Sequence, residues 1–241
     1  MEKLEELRSG FRNRTAKDIL VETEKQFRNK SAFSTALNLE DQVITDLIIR
    51  NKLDIPIFTL DTGRLFDETY DLLSRTEKHY NIKIKVYFPE ALDVEEYIED
   101  HGINGFYNDI ELRKKCCNLR KVKPLQKALA GKLCWICGLR QTQSVTRSNF
   151  DSIEYDEKFD VLKVSPLIKW TKEEIDSYIE KYNVPLNKLN YEGNPSIGCS
   201  CCTRPVGDDE NIRAGRWWWE SPEQKECGLH FVNGKAARNN T

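Results

Sequence analysis

Apolar and polar positions alternate in blocks along the first half of the chain, and the blocks predict strands and helices in turn. The apolar runs at 31–37, 55–60 and 82–88 are short enough to be buried strands. The segments that begin near Leu39 and Phe66 carry apolar residues at helical spacing. Strands and helices that alternate at these lengths indicate βαβ units, so we expect an α/β fold with a parallel sheet.

Three further helical regions and one more strand follow from the same pattern. Residues 1–28 are predicted to be an amphipathic helical segment, and residues 94–129 are predicted to be largely helical. Residues 133–137 are predicted to be another buried strand. A capping box opens a helix over residues 171–182, because a threonine there is followed three residues later by a glutamate.

Prolines and glycines become frequent after residue 184, which indicates an irregular C-terminal tail. We therefore divide the chain into a helical segment (1–28), a nucleotide- and cluster-binding α/β domain (29–204) and a tail (205–241).

Composition adds a broad class to this fold. The chain has 241 residues, of which 39% are hydrophobic and 32% charged, an ordinary balance for a globular protein. No apolar run approaches the roughly 20 residues needed to cross a bilayer, so we expect no membrane partner. The first residues are charged and lack the apolar core of a signal peptide, so we expect a cytoplasmic location.

Charge is distributed unevenly, although the net charge is only −2. Residues 112–150 contain no aspartate or glutamate but many lysines and arginines. A basic block of this length must face an anion. Because Cys116, Cys117 and apolar segments interrupt the block, a small polyanion is favoured over nucleic acid.

Two loops at the ends of predicted strands are suited to bind that anion. The loop that begins at Ser34 and Thr35 offers hydroxyls and backbone N–H groups at a helix N-terminus, with Asn38 as the predicted cap. The loop from Leu60 to Arg64 offers a carboxylate, a glycine and a guanidinium. Ligands bind at the carboxyl ends of the strands in open α/β sheets, so together the two loops predict a nucleotide pocket.

The eight cysteines of the chain point to metal binding or thiol chemistry in a reducing compartment. Four of them form two pairs: Cys116 with Cys117, and Cys199 with Cys202. Such a set could hold either zinc or an iron–sulfur cluster. Adjacent cysteines favour the cluster modestly, because a group with several irons spreads its ligand positions, and zinc remains an alternative.

The other cysteines differ in their surroundings. Cys134 and Cys137 lie in an apolar segment and are expected to pack as small buried side chains. Cys227 lies near Lys225 and His230, which could stabilise a thiolate, so it is a candidate nucleophile. A pair of arginines three residues apart, Arg213 and Arg216, could clamp an anion from one helical face.

Taken in order, these motifs resemble the assimilatory sulfonucleotide reductases, and specifically their iron–sulfur adenylyl-sulfate reductase branch. The resemblance extends over nearly the whole chain after residue 30. The matching blocks are Phe33-Ser-Thr, Glu40-Asp-Gln-Val, Leu60-Asp-Thr-Gly-Arg-Leu, Glu68-Thr, Cys116-Cys-Asn-Leu-Arg-Lys-Val, Trp135-Ile-Cys-Gly-Leu-Arg, Gln143-Ser, Arg147, Gly198-Cys, Cys202-Thr-Arg-Pro-Val, Arg213-Ala-Gly-Arg-Trp-Trp-Trp and Lys225-Glu-Cys-Gly-Leu-His.

The resemblance implies a fold like that of the adenine nucleotide α-hydrolases, with a modified pyrophosphate-binding loop at 34–42. It implies that one 4Fe-4S cluster is held by Cys116, Cys117, Cys199 and Cys202, and that Cys227 is the catalytic nucleophile. The loops and the resemblance together give the expected substrate-binding residues. They are Ser34, Thr35, Leu60, Asp61, Gly63, Arg64, Lys121, Gly138, Arg147, Arg213 and Arg216.

The expected reaction is the reduction of adenylyl sulfate to sulfite and AMP through an S-sulfocysteine, in sulfate assimilation and cysteine biosynthesis. Thioredoxin or glutaredoxin is the expected electron donor, and the chain is expected to form a homo-oligomer without nucleic acid. The alternatives are a reductase that also accepts the 3′-phosphorylated nucleotide and an ATP-cleaving transferase of the same fold. A zinc-stabilised nucleic-acid-binding module is a third. Cys201, inside the second cysteine pair, departs from the family pattern and leaves the ligand set slightly open.

Overall fold

The computed structural model describes residues 2–11, 13–143, 151–221, 225 and 229. Its helices are α1 (Glu2–Phe11), α2 (Ala16–Phe27), α3 (Leu39–Arg50), α4 (Asp67–Tyr80), α5 (Ala91–His101), α6 (Ile110–Cys117), α7 (Lys123–Leu129) and α8 (Lys172–Tyr182). Its strands are β1 (Ser31–Thr35), β2 (Ile57–Leu60), β3 (Lys85–Tyr87), β4 (Cys134–Ile136), β5 (Ile153–Asp156) and β6 (Val161–Val164).

These six strands form one sheet in the order β3-β2-β1-β4-β6-β5. All neighbouring pairs are parallel except β5 with β6, which is antiparallel at the edge. The chain leaves β1 toward β2 on one side and later returns as β4 on the other. The order therefore reverses between β1 and β4, and that switch point is where open α/β sheets bind ligands. The α/β fold with a parallel sheet is confirmed.

The sheet is covered on both faces, as a parallel sheet requires. One face packs against α1, α2, α3 and α8, with Phe33 of β1 and Ile136 of β4 at the centre of that layer. The other face packs against α7, with Trp135 of β4 and Leu125 of α7 buried together. Cys134 lies in the first layer and Cys137 in the second, so the expectation that both are buried packing residues is confirmed.

Two helix N-caps were predicted from the sequence, and only one of them makes the expected side-chain hydrogen bonds. The capping box between Thr171 and Glu174 is present, with both reciprocal hydrogen bonds. Asn38 is the N-cap residue of α3, as predicted, but its side chain makes no capping hydrogen bond. Its Oδ1 accepts from the backbone N–H of Ile197 at 3.3 Å, which ties the β1–α3 loop to the C-terminal region.

The N-terminal segment is two helices rather than one. The first helix ends at Phe11 and the second begins at Ala16. Thr15 caps the second helix, since its Oγ1 accepts from the N–H of Asp18 at 3.2 Å.

The predicted helical middle is also divided. A π-helical turn, Asn118–Val122, joins α6 to α7, and its closing hydrogen bond runs from the N–H of Lys123 to the carbonyl of Asn118. Turns of this kind are rare and are frequently found at functional sites. Within the described part of the chain, no helix is both long and apolar enough to cross a membrane.

Candidate active site

A cavity of about 620 Å³ opens at the carboxyl ends of β1 and β4, at the switch point of the sheet. Cavities of this size accommodate small-molecule ligands and cofactors. Seven of the expected substrate residues line it: Ser34, Thr35, Leu60, Lys121, Gly138, Arg213 and Arg216. The structure therefore brings these seven residues together around one cavity.

The loop after β1 is held in a defined shape by its own side chains. The Oγ1 of Thr35 accepts from the N–H of Leu37 at 3.0 Å, and Leu37 has a positive φ of 59°. A non-glycine residue in this left-handed conformation is strained by about 1–2 kcal/mol. Asp41 at the start of α3 contributes a further constraint, because its Oδ2 accepts from the N–H of Ala36 at 2.8 Å.

Asp41 is a buried residue of the cavity lining. Burial raises the pKa of this carboxyl to about 7, although backbone hydrogen bonds from Ala36, Asn38 and Gly138 act in the opposite direction. Gly138 leaves room for the contact, since a Cβ there would lie 2.2 Å from Asp41 Oδ1. The neighbouring carboxylate, Glu40, is neutralised by Arg140 of the same wall at 2.7 Å.

Cationic side chains form the side of the cavity nearest the C-terminal region. Arg216 is 7% exposed, and its Nη1 donates to the carbonyl of Ile197 at 3.3 Å. Gly198 permits this approach, because a Cβ there would lie 2.2 Å from Arg216 Nη2. Arg213 and Lys121 add two further positive charges. The two arginines stand on a turn and an isolated bridge rather than on a helix, so the predicted shared helical face is wrong.

Three of the expected substrate residues do not line this cavity: Asp61, Gly63 and Arg64. The Oδ1 of Asp61 accepts from the N–H of Gly63 at 2.7 Å and from the hydroxyl of Tyr70 at 2.8 Å. Arg64 points away, with its Nη2 donating to the carbonyl of Ile103 at 2.7 Å and its Nη1 lying 3.5 Å from the thiol of Cys201. These residues shape the second loop and join it to the neighbouring cysteines.

A second, smaller cavity lies beside the first and is bordered by thiols. All four proposed ligands, Cys116, Cys117, Cys199 and Cys202, line it together with Cys201. The thiol of Cys199 is 3.3 Å from the hydroxyl of Thr62. Among the described residues, no three Cys, His, Asp or Glu side chains form a group that could hold a single metal ion. The thiols border a space rather than meet at one point.

Positive and aromatic groups surround these thiols. Burial raises the pKa of Cys116, while the guanidinium of Arg120 acts against that shift. The thiols of Cys201 and Cys202 are 3.8 Å apart. A hydrogen bond from Cys202, aided by Arg64, lowers the pKa of Cys201, and the pKa of Cys202 is raised in turn.

Lys121 and Trp217 line both cavities. Lys121 lies in the π-helical turn that follows directly after Cys116 and Cys117 at the end of α6. Trp217 is 1% exposed and forms the wall between the two spaces. The two cavities are therefore adjacent parts of one site.

The C-terminal tail reaches this site at two described positions. The backbone carbonyl of Lys225 accepts from Arg213 Nη2 at 3.3 Å, and Lys225 Nζ donates to the carbonyl of Ala214 at 3.1 Å. Leu229 lines the large cavity and packs against the core layer that contains Trp135. Two expected site residues, Cys227 and Arg147, lie outside the described residues.

Sequence reasoning missed the buried ion pair between Arg113 and Glu220. The Nε of Arg113 lies 2.8 Å from Glu220 Oε1, and both side chains are 1% exposed. Both residues are charged, so no apolar periodicity marks them as core. The one available signal was the proximity of Arg113 to the cysteine pair and of Glu220 to the three tryptophans.

Comparison with known proteins agrees with this arrangement. Residues 30–205 match the family described as the phosphoadenosine phosphosulfate reductase domain. The chain is 48% identical to the adenosine 5′-phosphosulfate reductase of Sinorhizobium fredii, over 86% of this chain and 83% of that protein. It is 46% identical to the adenosine 5′-phosphosulfate reductase of Allochromatium vinosum, over 82% of this chain and 77% of that protein.

Solved structures give the same result. The phosphoadenylyl-sulfate reductase of Candida auris, solved as a phosphate complex, superposes with a TM-score of 0.73 at 26% identity, over 86% of this chain and 97% of that one. The FMN adenylyltransferase of Candida glabrata shares the fold alone, with a TM-score of 0.56 at 16% identity over 94% of this chain and 75% of that one. The resemblance read from the motifs is confirmed, and the chain belongs to the phosphoadenosine phosphosulfate reductase family.

Proposed function

We propose that this protein is a reductase that converts adenylyl sulfate to sulfite and AMP in sulfate assimilation and cysteine biosynthesis. The observation that carries the proposal is a cationic cavity of about 620 Å³ that shares Lys121 and Trp217 with a cavity bordered by thiols. The names of the related bacterial reductases, which specify adenosine 5′-phosphosulfate, support this substrate.

The nucleotide would occupy the large cavity. Ser34, Thr35, Leu60 and Gly138 line the part at the strand ends and would contact the adenosine and its phosphate. Lys121, Arg213 and Arg216 would neutralise the phosphate and sulfate oxygens. Such charge-assisted contacts are stronger than neutral hydrogen bonds and fix the direction of the sulfate group. Arg147 is a further candidate cation from the sequence.

Cys227 is the proposed nucleophile. The described residues on either side of it, Lys225 and Leu229, contact Arg213 and the large cavity respectively, which supports a position of the tail near the bound sulfate. The Cys227 thiolate would attack the sulfate sulfur, forming an S–S bond as the bond from sulfur to the phosphate oxygen breaks. AMP leaves with the electron pair of that bond, and its charge is compensated by the cations of the cavity.

The second half of the reaction needs an external dithiol, for which thioredoxin or glutaredoxin is proposed. One donor thiolate attacks the Cys227 sulfur, and sulfite leaves with the electron pair of the S–S bond. The second donor thiol then displaces Cys227 from the mixed disulfide. The donor is oxidised to a disulfide and the sulfur group is reduced by two electrons, so the enzyme returns to its starting state.

The small cavity suits an iron–sulfur cluster, a group that cysteine thiolates hold. The donor set is four thiols, and buried nitrogens that lack a partner among the described residues belong to the lining side chains Arg120 and Trp217. Cys116, Cys117, Cys199 and Cys202 would hold a 4Fe-4S cluster. The external dithiol supplies both electrons of the reaction. When bound, the cluster would therefore order the site and contribute to its electrostatics.

The test is the release of sulfite by protein purified without oxygen, with reduced thioredoxin present. Adenylyl sulfate and its 3′-phosphorylated form are compared, because the structural likeness to a phosphoadenylyl-sulfate reductase makes the second nucleotide a relevant candidate. Sulfite from adenylyl sulfate would support the proposal, and comparable rates with both would indicate a dual-specificity reductase. Absence of sulfite with either, in cluster-loaded protein, would refute the proposal, and pyrophosphate release from ATP would then indicate a transferase.

A further inference from the structure

Ser34 and Trp135 are joined by a hydrogen bond at the switch point of the sheet. They belong to the neighbouring strands β1 and β4, and both line the large cavity. The indole Nε1 of Trp135 lies 2.7 Å from Ser34 Oγ. An indole N–H is only a donor, so the serine oxygen must be the acceptor.

This contact determines what the Ser34 hydroxyl offers to a ligand. A hydroxyl has one hydrogen to donate, and its oxygen accepts. Because the indole donates to the oxygen, the hydroxyl hydrogen turns away from Trp135. The described residues provide no acceptor for that hydrogen, and Ser34 is half-buried at the cavity wall. The hydrogen is therefore available to an acceptor atom inside the cavity.

The indole ring is itself held in place from behind. Trp135 is 1% exposed, and its ring packs edge-on against Phe159 at 5.7 Å between centroids. The Nζ of Lys163 lies 5.6 Å from the centre of the ring, and Asp156 pairs with that ammonium at 3.1 Å. Lys163 and Asp156 are each 2% exposed, so the ring cannot turn without disturbing a buried ion pair.

We propose that Trp135 is a positioning residue that fixes the Ser34 hydroxyl as a hydrogen-bond donor to an acceptor atom of the bound adenosine nucleotide. The inference rests on the proposed function only for the identity of that nucleotide. It assigns to Trp135 a role in binding that its place in the apolar core does not suggest. Ser34 contacts the ligand, and Trp135 acts through Ser34.

The test is a double-mutant cycle on the affinity for AMP, measured by calorimetry with the full chain. Ser34→Ala removes the donor, and one hydrogen bond is expected to account for an increase of about threefold to tenfold in Kd. Trp135→Phe keeps the shape but removes the indole N–H, so it should raise Kd about twofold to fivefold. The double variant should bind AMP like Ser34→Ala alone, because Trp135 has no effect without the hydroxyl.

Trp218→Phe is the matched control, since Trp218 is 39% exposed and does not line the cavity. It should leave the Kd for AMP unchanged. A purely structural role of Trp135 would instead give effects that multiply in the double variant. Independent effects, an unchanged Kd in Trp135→Phe, or an unchanged Kd in Ser34→Ala would each overturn the inference.

A measurement that leaves the Trp135 side chain intact covers the case in which Trp135→Phe does not fold. In protein labelled at the indole nitrogens, the Trp135 resonance is the one that Ser34→Ala displaces most. Addition of AMP to the wild-type protein should shift that resonance, and no shift would contradict the inference. A protein that binds AMP with this coupling but releases no sulfite would refute the proposed function alone. Sulfite release without the coupling would refute this inference alone.

Discussion

The guanidinium of Arg113 and the carboxylate of Glu220 form a two-point ion pair in the interior, with Nε–Oε1 and Nη2–Oε2 distances of 2.8 and 2.5 Å. Arg113 also lies 4.8 Å from the ring centre of Trp217. The pair links α6, which carries the first two thiols, to the segment after the second two. It therefore holds the two sides of the cysteine cavity together.

Breaking this pair is expected to destabilise the protein strongly. Glu220→Gln leaves the buried Arg113 charge without its counter-charge, and the free energy of unfolding should fall by about 3 kcal/mol. Denaturant unfolding of the metal-free chain measures this change. Glu210→Gln is the control, because its pair with Arg204 is at the surface and should contribute nothing measurable. Equal losses in the two variants would contradict the account.

Iron binding is expected to depend on four of the cysteines. Replacing Cys116, Cys117, Cys199 or Cys202 by serine should each remove most of the iron and acid-labile sulfide from anaerobically purified protein. Cys201→Ser is the closest control, since its thiol is 3.8 Å from that of Cys202 but is not a proposed ligand. This variant should keep its iron content. Loss of iron in Cys201→Ser with retention in Cys202→Ser would exchange the two assignments.

The covalent intermediate is expected to form on the tail. Cys227→Ser should release no sulfite and should gain no sulfonate when adenylyl sulfate is added without a thiol donor. Mass spectrometry of the intact protein measures this, with the wild-type chain as the positive sample. Iron content and AMP affinity of the variant should equal those of the wild type. A sulfonated Cys227→Ser protein would move the nucleophile to another cysteine.

Gly138 is expected to tolerate no side chain. In Gly138→Ala the new Cβ would meet Asp41 Oδ1, so the loop after β1 must shift. The free energy of unfolding should fall by about 1–3 kcal/mol, the usual cost of overpacking, and AMP should bind more weakly. Gly10→Ala in α1 is the control, because among the described residues only its own helical backbone and chain neighbours lie within 4 Å of the added Cβ. If both variants behave alike, close packing at Asp41 is not the cause.

Stability is expected to depend on pH through Asp41. Its folded-state pKa of about 7 lies above the ordinary value of 3.8, so the folded chain keeps a proton that the unfolded chain loses. This contribution is complete below the unfolded pKa and is lost as the pH rises through about 7. Between these values the slope is at most about 1.4 kcal/mol per pH unit.

Asp41→Asn cannot titrate and should lack this part of the slope. Unfolding of both proteins at several values between pH about 5 and about 8 measures the difference. Parallel profiles for the two proteins would show that Asp41 titrates normally in the folded state.

The alternation of apolar blocks was sufficient to predict β1 to β4, because buried strands and covering helices leave strong local patterns. It did not predict β5 and β6. Lys163 on β6 is buried beside Asp156, and a lysine in a short strand indicates a solvent-facing position rather than a core position. The carboxylate that makes its burial possible belongs to Asp156, seven residues earlier on the neighbouring strand β5.

At the candidate active site, local sequence patterns are again insufficient where a residue depends on distant partners. Ser34 was predicted because strand-end loops have a known place in this architecture, and Gly138 was predicted from the family resemblance. Arg64 was expected to bind substrate, but its placement depends on Ile103 and Asn104, which accept its hydrogen bonds. Contacts between residues about 40 positions apart leave no periodic signal in the sequence. The role of Trp135 depends on a single hydrogen bond, which an apolar pattern cannot contain.

The walls of the cysteine cavity come from segments that are made at different times. Cys116 and Cys117 emerge from the ribosome well before Cys199, Cys202 and Trp217. Domains generally fold as units, so the cavity can close only after both segments have been made. The first two thiols therefore lack the other wall of the cavity until the later segment arrives. Loading of a cluster would then be one of the last events in the maturation of this protein.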